Sequence, residues 1–129
     1  MNGRYLLDTN IVIALLEGEP TVSERVAGAG EVFLSAVTLG ELYYGAAKST
    51  RAEHNLARVD EFATARGVLA CDQATAREYG VIKAMLRARG KPLPDNDIWI
   101  AALARLHGLT LVTRDAHFRE VEALTVEVW

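Results

Sequence analysis

Short apolar runs alternate with longer amphipathic stretches along the whole chain, and no other feature of the sequence limits the fold as much. Strands that take turns with helices most simply form a parallel sheet, because each helix carries the chain back to start the next strand. No internal repeat or low-complexity segment interrupts this pattern. The sequence therefore predicts an α/β fold with a mostly parallel central sheet and helices on both faces.

Five of the apolar runs are typical of short strands. The run LTLVT at 109–113 is the clearest buried strand, because it is rich in Leu and Val and carries no charged residue, as expected when both faces of a sheet are covered. The last run is expected to be an edge strand. The predicted strands are 4–8, 31–34, 68–70, 109–113 and 124–128.

The stretches between these runs carry helix signals. Ser35 and Asp72 are suited to accept hydrogen bonds from the first turns of two helices, and the helix after Ser35 should reach about residue 47. A further helix begins at Asn96 or its neighbour and closes at Gly108. The other predicted helices are 9–16 and 51–65.

A chain of 129 residues, half of them apolar, can bury one ordinary core, so we expect a single domain over 1–129. The opening residues reach Asp8 after an apolar stretch too brief for a signal peptide or a membrane span. We therefore expect a cytoplasmic protein without a membrane partner. The one cysteine, Cys71, has no disulfide partner and is interpreted as a small apolar residue.

Four acidic residues are predicted to meet at one edge of this sheet. Asp8 and Asp115 each follow a predicted strand, and functional sites in parallel sheets form beyond the carboxyl ends of the strands. Asp97 lies in the first turn of a helix that leads into a parallel strand, and such a helix starts at the same edge. Glu41 is roughly 9 Å down its helix from Ser35, within reach of a glutamate side chain.

Clustered carboxylates repel one another, so such a group persists only when cations or protons neutralise it. Oxygen-only ligands favour Mg²⁺ or Mn²⁺ over zinc. These ions activate water and stabilise a departing oxygen, and this chemistry suits phosphodiester hydrolysis. Each acid taken singly is equally suited to a helix cap, a turn or a solvated face. Their joint placement is what favours a metal site.

Three segments carry a family resemblance. They are LLDTNIVIALL at 6–16, LSAVTLGELYYG at 34–45 and GKPLPDNDIWIAALARLHGLTLVTRDAHF at 90–118. In this order and spacing the chain resembles the PIN-domain ribonucleases, and more narrowly the VapC-type toxins of bacterial toxin–antitoxin pairs. The likeness covers nearly the whole chain.

The resemblance implies a Mg²⁺- or Mn²⁺-dependent endoribonuclease with an RNA substrate, including transfer RNA as a candidate. It also implies a small VapB-type antitoxin protein as inhibitor and a homodimer. The family's acidic quartet falls on Asp8, Glu41, Asp97 and Asp115, and the fourth position varies there between Asp and Asn. Asp95 is a candidate extra ligand. The residues expected to orient these carboxylates are Thr9, Asn10 and Thr113.

Basic residues near the acids are the candidates for contact with RNA phosphates. Without the four acids the charge balance is 14 basic against 17 − 4 = 13 acidic residues, a net +1 in place of −3. Three of them are equally typical of a solvated helix end, and Arg114, which adjoins the fourth acid, is equally suited to neutralising the cluster. Trp99 is suited either to stacking on a base or to packing. The basic candidates are Arg87, Arg89, Lys91 and Arg114.

Three other functions remain open. A metal-independent ribonuclease would use histidines as acid and base, and the chain has His54, His107 and His117. A phosphohydrolase with an aspartate nucleophile would need a second acid where this chain has Asn10. A non-catalytic interaction module would keep the acids without using them.

Overall fold

The computed structural model describes residues 3–129 and contains one sheet of five parallel strands. The strand order is β3-β2-β1-β4-β5. The strands are β1 (Arg4–Leu7), β2 (Glu31–Ser35), β3 (Gly67–Leu69), β4 (Thr110–Val112) and β5 (Val126–Glu127). The helices are α1 (Thr9–Leu16), α2 (Pro20–Gly28), α3 (Ala36–Ala47), α4 (Ala52–Thr64), α5 (Gln73–Ala88) and α6 (Asp95–Leu106), with a 3₁₀ turn at Ala116–Glu120. The predicted α/β fold with a parallel sheet is confirmed.

The central strand β1 is where the strand order reverses. Leu7 pairs with Leu34 of β2 on one side and with Val112 of β4 on the other. The chain leaves β1 toward β2 and β3, and later returns to the opposite side of β1 as β4. A crevice therefore opens beyond the carboxyl ends of β1 and β4, the place where open parallel sheets bind ligands.

Helices cover both faces of the sheet, because successive strand residues point to opposite sides. Leu6 packs in a core with Ile82 of α5 and Leu103 of α6. Its neighbour Leu7 packs in a second core with side chains of α1, α2, α3 and α4, including Leu42. Leu6 and Leu7 are both fully buried, so β1 is held rigidly between two cores.

The predicted elements are present, with ends that differ by one or two residues. Ser35 and Asp72 cap α3 and α5, since their side chains accept hydrogen bonds from the amides of Thr38 and Thr75. The helix α2 was not predicted: it spans only nine residues, and Val22 is its one buried residue. Pro20 at its first position was the available signal.

The last strand pairs with β4 as the expected edge strand, but it spans only Val126–Glu127. Cys71 is a free cysteine with an exposed side chain. None of the helices within residues 3–129 is long and apolar enough to cross a membrane.

Candidate active site

Asp8 directly follows β1 and is fixed by two hydrogen bonds. One carboxylate oxygen accepts from the Thr9 amide at 2.8 Å, and the other accepts from the Thr113 hydroxyl at 2.7 Å. The side chain is almost fully buried. Burial raises the pKa of Asp8 above its ordinary value, and the charges of Glu41 and Asp115 act in the same direction against these two hydrogen bonds.

Asp97 lies in the first turn of α6, whose amino end is at the carboxyl edge of the sheet. Burial raises its pKa to about 6, with further contributions from the charges of Asp8, Asp115 and Glu41. Only His117 acts in the opposite direction among the causes of this shift. The four acids predicted from the sequence therefore form one electrostatically coupled group, which we call the acidic cluster.

Glu41 is the exposed member of the acidic cluster and projects from α3. The hydroxyl of Thr9 donates to one of its carboxylate oxygens and lies 3.1 Å from the Thr38 hydroxyl. The side-chain amide of Asn96 faces the other oxygen at 3.4 Å. Thr9 thus connects the start of α1 to α3, and Asn96 connects α3 to α6.

Asp115 begins the 3₁₀ turn and brings a histidine to the acidic cluster. Its carboxylate accepts from the His117 amide at 2.9 Å and lies 3.0 Å from the imidazole Nδ1. The sequence analysis named His117 only as one of three histidines and did not connect it with Asp115, although the spacing Asp-x-His was a usable signal. His107 faces Asp72 instead, so His117 is the histidine that contacts an acid of the cluster within the described chain.

The expected orienting residues divide into two groups. Thr113 is fully buried, donates to Asp8 and accepts from the Asp115 amide at 3.0 Å, and Thr9 contacts both Asp8 and Glu41. Asn10 differs from the expectation: its oxygen accepts from the Arg114 amide at 3.4 Å. Asn10 therefore holds the loop after β4 rather than a carboxylate.

Asp95 does not join the acidic cluster. Its carboxylate accepts from the ammonium of Lys83 at 2.9 Å and from the Tyr79 hydroxyl at 2.8 Å, and these partners lower its pKa. Two positions along a helix differ by about 200° in direction, so Asp95 and Asp97 point to different surroundings. The sequence could not exclude Asp95 because the start of α6 was not fixed.

The predicted phosphate contacts are corrected at two positions. Arg114 turns away from Asp115 and forms a double contact with the Glu19 carboxylate, at 2.8 and 3.2 Å. Arg89 reaches toward the 120–122 segment, where it contacts a carbonyl and the carboxylate of Glu122. Arg87 and Lys91 are exposed near the start of α6, since α5 and α6 run antiparallel.

The donor chemistry of the acidic cluster fits a hard divalent cation, because all four side chains offer carboxylate oxygens. Within residues 3–129, no three acidic, histidine or thiol side chains stand close enough in this arrangement to share an ion. Mutual repulsion keeps unneutralised carboxylates apart. Asp8 is fixed by its hydrogen bonds, so a shared ion would require Glu41, Asp97 and Asp115 to turn toward it.

Comparison with known proteins gives full-length relatives. The chain is 41% identical to Ribonuclease VapC2 of Haemophilus influenzae, over 98% of each chain. It is 40% identical to the tRNA(fMet)-specific endonuclease VapC of Shigella flexneri, again over 98% of each. The structure of VapBC bound to DNA from Salmonella typhimurium contains a chain that superposes with a TM-score of 0.90 at 33% identity, covering 98% of both chains. Residues 5–124 match the PIN domain, and with these relatives this shows that the chain belongs to the PIN domain family.

Proposed function

We propose that this protein is an endoribonuclease that hydrolyses RNA phosphodiester bonds and acts as the toxin of a toxin–antitoxin pair. The observation that carries the proposal is the acidic cluster at the reversal of strand order, where Asp97 is under the influence of Asp8, Glu41 and Asp115. Relatives named as ribonucleases, matched along nearly their whole length, support the same activity.

The proposed cofactor is Mg²⁺ or Mn²⁺, held by Asp8, Glu41, Asp97 and Asp115. When bound, such an ion supplies an activated water and neutralises charge on the departing oxygen. Asp8 would be the fixed ligand, because both of its oxygens are already oriented. Thr9 and Thr113 would orient these carboxylates, and their hydrogen bonds favour the charged forms needed to hold a cation.

Exposed basic side chains near the cluster would hold the RNA. Arg87 and Lys91 remain candidates for contact with phosphates, whereas Arg114 serves to fix the loop after β4. The His117 imidazole, which lies 3.0 Å from the Asp115 carboxylate, would offer a further contact to the RNA backbone. These contacts would position the RNA backbone without reading its sequence.

The proposed partners follow from the resemblance to VapC-type toxins. A small antitoxin of the VapB type would inhibit the protein, and the chain would act in the cytoplasm as a homodimer. Transfer RNA is the first substrate to test, because the Shigella flexneri relative is named for tRNA(fMet). The antitoxin must be removed before any assay, since it would mask the activity.

The test is cleavage of a tRNA(fMet) transcript by purified, antitoxin-free protein with Mn²⁺ or Mg²⁺. We expect cleavage that EDTA abolishes, and product ends that carry a 5′-phosphate and a 3′-hydroxyl. A 2′,3′-cyclic phosphate, or activity that resists EDTA, would instead establish the histidine mechanism. Failure to cut any RNA in a panel of structured transcripts would support the non-catalytic module.

A further inference from the structure

An open cleft of about 690 Å³ adjoins the acidic cluster between α3 and α6. Gly40, Glu41 and Tyr44 of α3 form one side, and Asn96 and Trp99 of α6 form the other. We call this feature the Tyr44 cleft. Its volume lies within the usual range of roughly 300–1,000 Å³ for ligand sites. Glu41 belongs to both the cleft and the acidic cluster, so the two are continuous.

Two aromatic side chains, those of Tyr44 and Trp99, line the Tyr44 cleft. Tyr44 is 68% exposed, so its ring is accessible from solvent. Trp99 stacks one face on Tyr79, with ring centres 4.1 Å apart and an interplanar angle of 17°. That contact fixes the plane of the Trp99 indole, whose remaining surface borders the cleft. Rigid exposed rings are the surfaces on which unstacked bases of single-stranded RNA bind.

Polar groups are placed around these rings where a nucleotide would need them. The ammonium of Lys48 lies over one face of the Tyr44 ring, 4.8 Å from its centre, so a base would have to stack on the opposite face with this positive charge close by. The amide of Asn96, only 3.4 Å from Glu41, can both donate to and accept from the edge of a base. A base at Tyr44 would thus have a cation near its phosphate and an amide near its edge.

Gly40 keeps the wall of the cleft open. A Cβ atom at this position would meet no other atom within 4 Å, so no packing demand explains the glycine. Gly40 lines the cleft beside Glu41, so a larger side chain at this position would project into open space there. Gly80 of α5 is a matched control for Gly40, because a Cβ atom there would also meet no other atom within 4 Å and Gly80 does not line the cleft.

We propose that the Tyr44 cleft is a nucleobase subsite, which takes one unstacked base of single-stranded RNA next to the phosphate that the acidic cluster cleaves. This inference rests on the proposed ribonuclease function and names how that site holds its substrate. Tyr44 and Trp99 stack on the base, Asn96 contacts its edge and Lys48 contacts the adjoining phosphate. None of these residues reacts with the RNA.

The first experiment measures binding without cleavage. Inactive Asp8→Asn protein is titrated with a single-stranded RNA of about ten nucleotides, and each position in turn is replaced by an abasic nucleotide. We expect one abasic position to weaken binding by at least about 5-fold, the lower end of a stacking contribution. Adding Tyr44→Ala should weaken binding of the intact RNA equally and erase this abasic effect, whereas Tyr44→Phe should preserve it. Equal effects of abasic positions with and without Tyr44 would overturn the proposal.

The second experiment uses the glycine pair in the active protein. Gly40→Leu should raise KM for the tRNA(fMet) transcript by about 5-fold or more, because the leucine fills the cleft, while Gly80→Leu should leave KM unchanged. Equal KM values would contradict a base in the cleft. If wild-type protein cleaves no RNA, the proposed function fails, yet the binding experiment still decides the subsite.

A second copy of this chain is the competing occupant of the Tyr44 cleft. Gel filtration with light scattering on the Tyr44→Ala and Gly40→Leu proteins distinguishes it. We expect both variants to keep the wild-type oligomeric state. Dissociation of either variant, when Gly80→Leu stays assembled, would make the cleft a subunit interface and overturn the nucleobase subsite.

Discussion

The buried charge of Asp8 destabilises the metal-free folded state. The carboxylate is buried beside other acids, and its pKa is raised accordingly. We predict that Asp8→Asn abolishes cleavage and raises the metal-free melting temperature, by about 4 °C for each 1 kcal/mol of relieved desolvation and repulsion. The new amide keeps the hydrogen bond from Thr9 and donates to Thr113. Thermal unfolding in EDTA, monitored by circular dichroism, measures the shift.

Asp95→Asn is the matched control for this prediction. It removes a negative charge from the same region, but one that is exposed and paired with Lys83. Its melting temperature should stay the same or fall, and cleavage should persist. If Asp95→Asn raised the melting temperature as much as Asp8→Asn, the buried charge of Asp8 would not be what destabilises the metal-free fold.

The raised pKa of Asp97 predicts a pH dependence of stability. The folded protein binds a proton at Asp97 near pH 6, whereas the ordinary pKa of the group is 3.8. Between these values the folded state holds more protons than the unfolded state, so metal-free stability should rise as the pH falls from 7 toward 5. Asp97→Asn should flatten part of this rise. If the melting temperature of the wild type and that of Asp97→Asn depended on pH in the same way, the pKa of Asp97 would not be raised.

For single residues, the sequence predicted where the acidic side chains lie in the fold better than it predicted which partners a side chain contacts. Asp8, Asp97 and Asp115 follow from where strands end and helices begin, and topology places those ends together. The choice between Asp95 and Asp97 depends on helix phase, which changes by about 100° with each residue. Arg114 could not be assigned because its partner Glu19 lies 95 positions away in a helix cap that was not predicted.

At the scale of elements, Thr113 joins the ends of β1 and β4. Its hydroxyl donates to Asp8 and accepts from the Asp115 amide, so one side chain fixes two acids of the cluster. We predict that Thr113→Val lowers cleavage by about 10- to 100-fold, the usual effect of losing a group that orients a metal ligand. Thr113→Ser keeps the hydroxyl and should retain most activity. A steady-state assay with saturating Mn²⁺ compares the two.

The Thr113→Val and Thr113→Ser variants separate the role of the hydroxyl from that of side-chain packing. Valine has nearly the volume of threonine but lacks the hydroxyl, so Thr113→Val removes the two hydrogen bonds of that hydroxyl with little change in the space filled. If Thr113→Val and Thr113→Ser lose activity equally, the hydroxyl does not orient the carboxylates. Circular dichroism of both variants confirms that each is folded before activity is compared.

The helix α3 depends on its cap to present Glu41. Ser35 is fully buried and accepts a 2.9 Å hydrogen bond from the Thr38 amide. We predict that Ser35→Ala destabilises the protein by about 1 kcal/mol, whereas Ser35→Thr, which can keep the bond, loses less. Urea unfolding measures both variants. Equal stability of the alanine variant and the wild type would mean that the cap contributes nothing.

Elements with a strong local signal were predictable and those without one were not. Ser35 and Asp72 marked helix starts because their side chains satisfy free amides there, wherever the helix packs. The helix α2 is short and has Val22 as its one buried residue, so it offered few apolar positions by which to recognise it. The short edge strand β5 is likewise limited by its pairing with β4, which no local pattern reveals.

For the whole molecule, the acidic cluster predicts stabilisation by divalent cations. A ligand that binds only the folded state adds about 2.7 kcal/mol at a hundred times its dissociation constant. Saturating Mn²⁺ should therefore raise the melting temperature, and excess EDTA should reverse the rise. Asp97→Asn should remove most of the effect. A similar rise with Asp97→Asn would place cation binding elsewhere.

The hydrogen bond from Thr113 to Asp8 spans 105 positions of sequence, and it has a consequence for synthesis. A chain emerging from the ribosome presents Asp8 long before β4 and Asp115 are added. The four acids therefore cannot meet until Asp115 has been synthesised. Translation itself delays assembly of the nuclease site, because a nascent copy that lacks β4 has no complete acidic cluster.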